Sequence, residues 1–173
     1  MELGSLTRAA DRWQLEFVRH LPHPPAKVWR AVTEPEHQSA WFPARMEGER
    51  RAGAALRFVF EHDEGPPGSG EVRACDPPRL FEVSWDGDVL RFELEADGDG
   101  TTLTFRSTFD PVGRAARDGA GWHACLDLLE AELAGVPEHA RPQRRWAEVQ
   151  PAYVESFGPE AATIGPPEWH PEA

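Results

Sequence analysis

The spacing of hydrophobic positions changes along the chain, and the change separates sheet from helix. From Arg12 to Leu21, RWQLEFVRHL alternates: Trp13, Leu15 and Phe17 fall on one side, Gln14 and Glu16 on the other, which predicts a strand. Pro22, Pro24 and Pro25 end it, because proline cannot donate into a ladder. Pro25 then opens a short helix, PAKVWRAVT, with Val28, Trp29 and Val32 as its buried stripe, and PEHQSAWF predicts a second short helix. A brief strand at Ala44 to Glu49 and longer ones at Ala55 to His62, Gly70 to Asp76, Leu80 to Asp86, Asp88 to Ala96 and Thr101 to Asp110 follow. Asp86-Gly87 and the later DGDG are hairpin turns, so these strands form an antiparallel meander with one apolar face.

The period then becomes helical. Trp122, Leu126, Leu129 and Leu133, with Cys125 beside them, make one stripe between Asp110 and Gly135. Asp110-Pro111 reads as an N-cap and first turn, and Gly135 with Pro137 as the stop, for a helix about 33 Å long. Arg114, Arg117, Asp127 and Glu130 fall off the stripe and are expected in water. Gly119 and Gly121 weaken the helix locally. Either they let another surface approach closely, or they make a soft point over a ligand.

Three regions follow from these patterns. Residues 1–11 show no period and are expected as a lead-in. Residues 12–157 form the domain, including a satellite helix with Trp146, Val149, Tyr153 and Phe157 at helical spacing. Residues 158–173, rich in Pro, Gly and Glu, are expected to be a disordered tail. The predicted class is α+β: a curved antiparallel sheet wrapped around one long C-terminal helix, with two short helices after the first strand. This is a helix-grip.

Composition narrows the function classes. With 30 acidic against 18 basic residues, the net charge of −12 argues against nucleic acid and anionic membrane as partners. The two cysteines, Cys75 and Cys125, sit in no metal-binding spacing and suit a reducing compartment. His20 and His23 lie in a proline-locked turn with no third ligand adjoining, so neither metal nor cofactor is expected. No apolar run has signal-peptide or membrane-span character, and a cytoplasmic location is expected.

Two segments, Pro-x-x-Val-Trp-x-Ala at Pro25 to Ala31 leading to Trp41-Phe42, and Gly-Trp-x3-Leu-x2-Leu-x3-Leu from Gly121 to Leu133, flank the β-meander. In this order they resemble the START-like SRPBCC superfamily, and within it homologues of the C-terminal domain of the heat-shock protein 90 ATPase activator. The resemblance spans roughly Arg12 to Gly135 and implies the helix-grip fold. The superfamily hosts lipid carriers, polyketide cyclases and receptors, so the fold alone names no activity. The stretch leaves no room for the separate N-terminal domain of the eukaryotic co-chaperone, which makes a chaperone partner the less expected one.

By strand parity Phe58, Phe60, His62, Phe81, Trp85, Phe92 and Phe105 face the helix, where Trp122 and Leu126 meet them, with Trp41 at the end of the second short helix. These residues either fill the core or line a cavity. The resemblance to a cavity-bearing superfamily implies a cavity holding a small apolar or aromatic ligand. Arg19, His62, Asp76 and Ser107 are the inward polar strand positions, and His123, one residue off the stripe, is expected partly buried with a local hydrogen bond. No nucleophile motif or phosphate-binding glycine loop is present. A cyclase-type enzyme and a chaperone-interacting module remain the alternatives to a binding protein, and a homodimer stays open.

Overall fold

The computed structural model describes residues 1–60, 65–136 and 142–167. The strands are β1 (Ser5–Ala9), β2 (Arg12–Leu21), β3 (Arg45–Glu47), β4 (Ala55–Val59), β5 (Gly68–Asp76), β6 (Leu80–Trp85), β7 (Asp88–Asp97) and β8 (Gly100–Phe109). They form one antiparallel sheet in the order β1-β2-β8-β7-β6-β5-β4-β3. The helices are α1 (Pro25–Thr33), α2 (Pro35–Gln38), α3 (Ala115–Ala134) and α4 (Pro142–Phe157). No described helix is long and apolar enough to cross a membrane. The architecture is the α+β helix-grip, with α3 lying across the inner face of the curved sheet.

The inner face carries Leu15, Phe17, Val83, Phe81, Leu90, Phe92, Leu103 and Phe105, all buried. On the outer face charge alternates across strands. Arg106 pairs with Glu16 at 2.7 Å and with Glu93 at 3.1 Å, and Glu93 also holds Arg91 at 2.5 Å. Arg91 reaches Glu82 at 2.8 Å, which pairs with Arg73 at 3.3 Å. Such pairs suit a solvated face, each contributing at most about 1 kcal/mol.

Several elements depart from the sequence reading. The expected lead-in contains a strand: β1 pairs with β2 from Ser5↔Glu16 to Ala9↔Arg12, so it takes its order from the ladder and not from an apolar period. The second short helix stops at Gln38, not at Phe42. Trp41 and Phe42 are both buried, but not as part of a continued helix. Instead the chain turns, and the Trp41 indole N–H donates to the Ala31 carbonyl at 2.8 Å. Val72 is fully buried but Ala74 only partly so, because a bulge interrupts the register between them.

The long helix also starts later than expected. Val112–Arg114 forms a 3-10 turn before Ala115, and Asp110 caps nothing: its carboxylate holds Arg12 at 2.9 Å. At the other end Gly135 takes the left-handed conformation, as the stop signal requires. Helix α3 is buried on two sides. Leu126, Leu129 and Leu133 face the sheet, while Ala116, Gly119, Ala120 and His123 face α4 or are buried beside it. Gly119 is the close approach: a Cβ there would stand 3.0 Å from Tyr153 and 3.3 Å from Phe157. The two helices are fastened by Trp146 Nε1 donating to the Arg117 carbonyl at 2.9 Å and by Arg145 pairing with Asp127 at 2.6 Å.

The segment after Phe157, expected to be disordered, is packed as far as it is described. Pro159–Ala162 forms a 3-10 turn that buries Ala161, and the Ile164 N–H donates to the Gly113 carbonyl at 3.0 Å. Its low hydrophobicity does not prevent docking, because the contact is made by backbone and by a small residue fitting a groove between helices.

Candidate functional site

The rings expected around one cavity divide into two groups. Phe58, Phe81, Phe92, Phe105 and Leu126 do not line open space. They are fully buried and close-packed, with Phe92 and Phe105 stacked at 4.7 Å and Phe81 and Phe92 at 6.4 Å. Interior rings at this density leave no room for a guest. Phe60, Trp85 and Trp122 are only partly buried and border a cleft of about 790 Å³ at one end of the grip, and Trp41, itself buried, backs its wall. His62 lies outside the described residues.

Each wall of the cleft comes from a different element. The turn between α2 and β3 brings Trp41 and Phe42. The β6–β7 hairpin brings Trp85 and Asp88, paired across its base. Helix α3 brings Trp122, and α4 brings Trp146. The aromatic walls are supported from beneath. Trp85 stacks on Phe58 at 4.6 Å with ring planes 10° apart, and Trp122 meets Phe105 at 4.8 Å. Phe42 bridges the two walls, 5.5 Å from Trp85 and 5.8 Å from Trp122. Neither the Trp85 nor the Trp122 indole N–H is hydrogen-bonded to another described residue.

One side of the cleft is charged. Arg114 sits between two carboxylates, with Nε at 2.5 Å from Asp118 and Nη2 on Asp88, while its guanidinium lies 5.3 Å over the Phe109 ring. Arg117 Nε holds the other Asp118 oxygen at 2.9 Å, and Arg12 approaches Asp88 at 3.8 Å. Burial pushes the Asp88 carboxyl above its usual range, with Arg114 opposing that shift. Cys125 borders the cleft as an inert thiol, pushed up to about 12 by burial. Asp88, Arg114 and Asp118 satisfy one another's charges.

The inward polar positions lie elsewhere. Arg19 pairs with Asp127 and Glu130 of α3, each at 3.2 Å. Ser107 is buried on β8, while Asp76 is exposed and holds Arg79 at 2.5 Å. His123 is fully buried, and its partner is distant in sequence: Nδ1 is 2.9 Å from the Tyr153 hydroxyl. Among the described residues no group of three or more His, Cys, Asp or Glu could hold a metal. A smaller cleft of about 390 Å³ lies between the end of β2 and the C-terminal half of α3, beside Asp127 and Glu130.

Sequence reasoning missed Phe42, Asp88, Arg114, Asp118 and Trp146 as site residues. The i,i+4 spacing of Arg114 and Asp118 was a readable signal. The approach of Asp88 from β7 and of Trp146 from α4 exists only in three dimensions.

The fold is that of a helix-grip protein of the START-like SRPBCC type. The profile of the family described as Activator of Hsp90 ATPase homolog 1-like protein matches residues 22–134, and the chain belongs to that family. A search of curated proteins finds no match. Among solved structures, the chain is similar to CalU16 from Micromonospora echinospora, with 23% identity over 88% of this chain and 96% of that one at a TM-score of 0.71. That share cannot be reached without residues beyond Ala134. A protein from Enterococcus faecalis, EF2215, matches at 19% identity over 89% and 90% of the two chains, with a TM-score of 0.71. Both likenesses show the fold. DynU16, from the dynemicin biosynthetic locus, is 26% identical over 72% of this chain at a TM-score of 0.61, and the match spans 48% of DynU16.

Proposed function

We propose that the chain binds a small, flat aromatic molecule in the cleft bounded by Trp41, Phe60, Trp85 and Trp122. The observation that carries this reading is the division of the rings: the inner set fills the core, while a second set borders open space of about 790 Å³. That volume is within the roughly 300–1,000 Å³ usual for small-molecule sites. Aromatic walls favour a planar guest by stacking. DynU16 comes from a biosynthetic locus, a setting that accords with binding a small organic molecule. The paired charges of Asp88, Arg114 and Asp118 support a role in holding or presenting the guest over one in transforming it.

The test is titration of the purified chain with 1-naphthol and 1-hydroxyanthraquinone, followed by tryptophan quenching and calorimetry. Saturable binding at a single site, weakened by Trp122→Ala and by Trp85→Ala in folded protein, is the expected result. Absence of saturable binding to the unmodified chain would overturn the reading.

A further inference from the structure

We infer that α4 and the segment after it, both beyond the family core that ends at residue 134, form the cleft wall that sets how large a flat ligand is accepted. This rests on the reading of the cleft as a ligand site. Strands β3 to β8, the turn after α2 and α3 all belong to the matched core, and they supply the remaining walls of the cleft. Pro142, Gln143 and Trp146 of α4 border the same cleft, and Pro167 reaches the rim. Trp146 has two roles there. Its ring borders the space, and its Nε1 donates to the Arg117 carbonyl at 2.9 Å, which fixes where the wall stands.

The wall is anchored along its length and not merely laid against the core. Val149 and Tyr153 are completely buried, and Gly119 has the space of its missing side chain taken by Tyr153. Beyond α4 the chain returns to the N-terminal end of α3. Thr163 lies so close to Gly113 that a Cβ there would collide with its hydroxyl, and the Ile164 N–H donates to the Gly113 carbonyl at 3.0 Å. A wall held at both ends cannot retreat to admit a wider guest without breaking these contacts. Side-chain size at its exposed inward position should therefore change which guests fit, and not how well the protein folds. Gln143 is that position: it is exposed, it borders the cleft, and it makes no hydrogen bond to a described residue.

The experiment enlarges this position and compares two probes. Gln143→Trp and Gln143→Phe are titrated with two-ring 1-naphthol and three-ring 1-hydroxyanthraquinone. Arg144→Trp, on the same helix and outside the cleft lining, serves as control, and urea unfolding confirms that each variant is folded. Both Gln143 variants should weaken the three-ring probe relative to the two-ring one by about tenfold, the scale on which a hydrophobic pocket discriminates size. Arg144→Trp should leave both affinities within about twofold. An unchanged ratio in the two folded Gln143 variants, or an equal change in Arg144→Trp, would overturn the wall while leaving the ligand site standing. Failure of both probes to bind the unmodified chain would instead overturn the ligand reading, and this inference with it.

Discussion

His123 of α3 and Tyr153 of α4 share a hydrogen bond of 2.9 Å in a site closed to water, and the same phenol oxygen accepts the Gly4 N–H at 2.9 Å. One contact thus joins the central helix, the helix behind it and the chain just before β1. Burial pulls the His123 ring down to about 4, with Asp127 opposing and Arg19, Arg145 and the N-terminal ammonium adding to the fall. Burial also raises the Tyr153 phenol to about 12, against the Gly4 hydrogen bond.

The pH dependence follows in sign. Between about pH 6.5 and about pH 4 the unfolded chain holds a proton on His123 that the folded chain refuses, so the unfolded state binds more protons. Stability should therefore fall as pH falls through that window, by about 2–3 kcal/mol in all. Urea titrations at about pH 7.5 and about pH 4.5 measure the loss, and His123→Gln should remove most of it. An equal acid loss in wild type and His123→Gln would show that other groups carry it.

Trp122 and Phe92 should separate lining from core. Phe92 is almost fully buried against Phe81 and Phe105, so Phe92→Leu should cost about 1–2 kcal/mol and leave probe affinity nearly unchanged. Trp122 is only partly buried, and Trp122→Ala should cost about 2–3 kcal/mol, less than the ~3–5 kcal/mol of a core ring. Its effect on 1-naphthol binding should be the larger of the two. If Phe92→Leu weakened binding as much as Trp122→Ala did, the guest would have to reach into the core.

Gly113→Ala tests the docked C-terminal segment. A methyl group there collides with Thr163, so the substitution should cost about 1–2 kcal/mol in the full chain. In a chain ending at Phe157 the collision partner is gone, and the same substitution should be nearly neutral. The truncation itself should lose about 1 kcal/mol through Ala161 and the Ile164 hydrogen bond. Chemical denaturation of the four proteins gives the coupling, and an additive result would place residues 158–167 off the domain in solution.

Much of the sheet was legible because its alternation is strict. The strands from Arg12 to Leu21 and from Leu80 to Phe109 lie within a residue or two of where the pattern puts them, since a one-residue slip would turn Phe81, Phe92 and Phe105 to solvent. Strand β1 was not legible, because an edge strand can be ordered by a neighbour's free carbonyls without an apolar face of its own. Helix α3 showed one stripe, yet it is buried on two sides. The second side is made of Ala, Gly and His, residues that bring α4 close without raising hydrophobicity. The same blindness hid part of the cleft. Sequence parity shows which rings face inward, but not which of them find another ring in front.

The Gly4 and Ile164 contacts place segments from near both ends of the chain on one helical layer, the first through Tyr153 and the second through Gly113. Neither amide belongs to a long ladder of its own, yet each is released only when that layer lets go. In native-state hydrogen exchange these two amides should therefore behave as reporters of the α3–α4 layer, sharing its protection instead of exchanging at the rate of loose ends. A cooperative unit that joins segments so far apart in sequence would open as one piece, and the cleft wall would open with it.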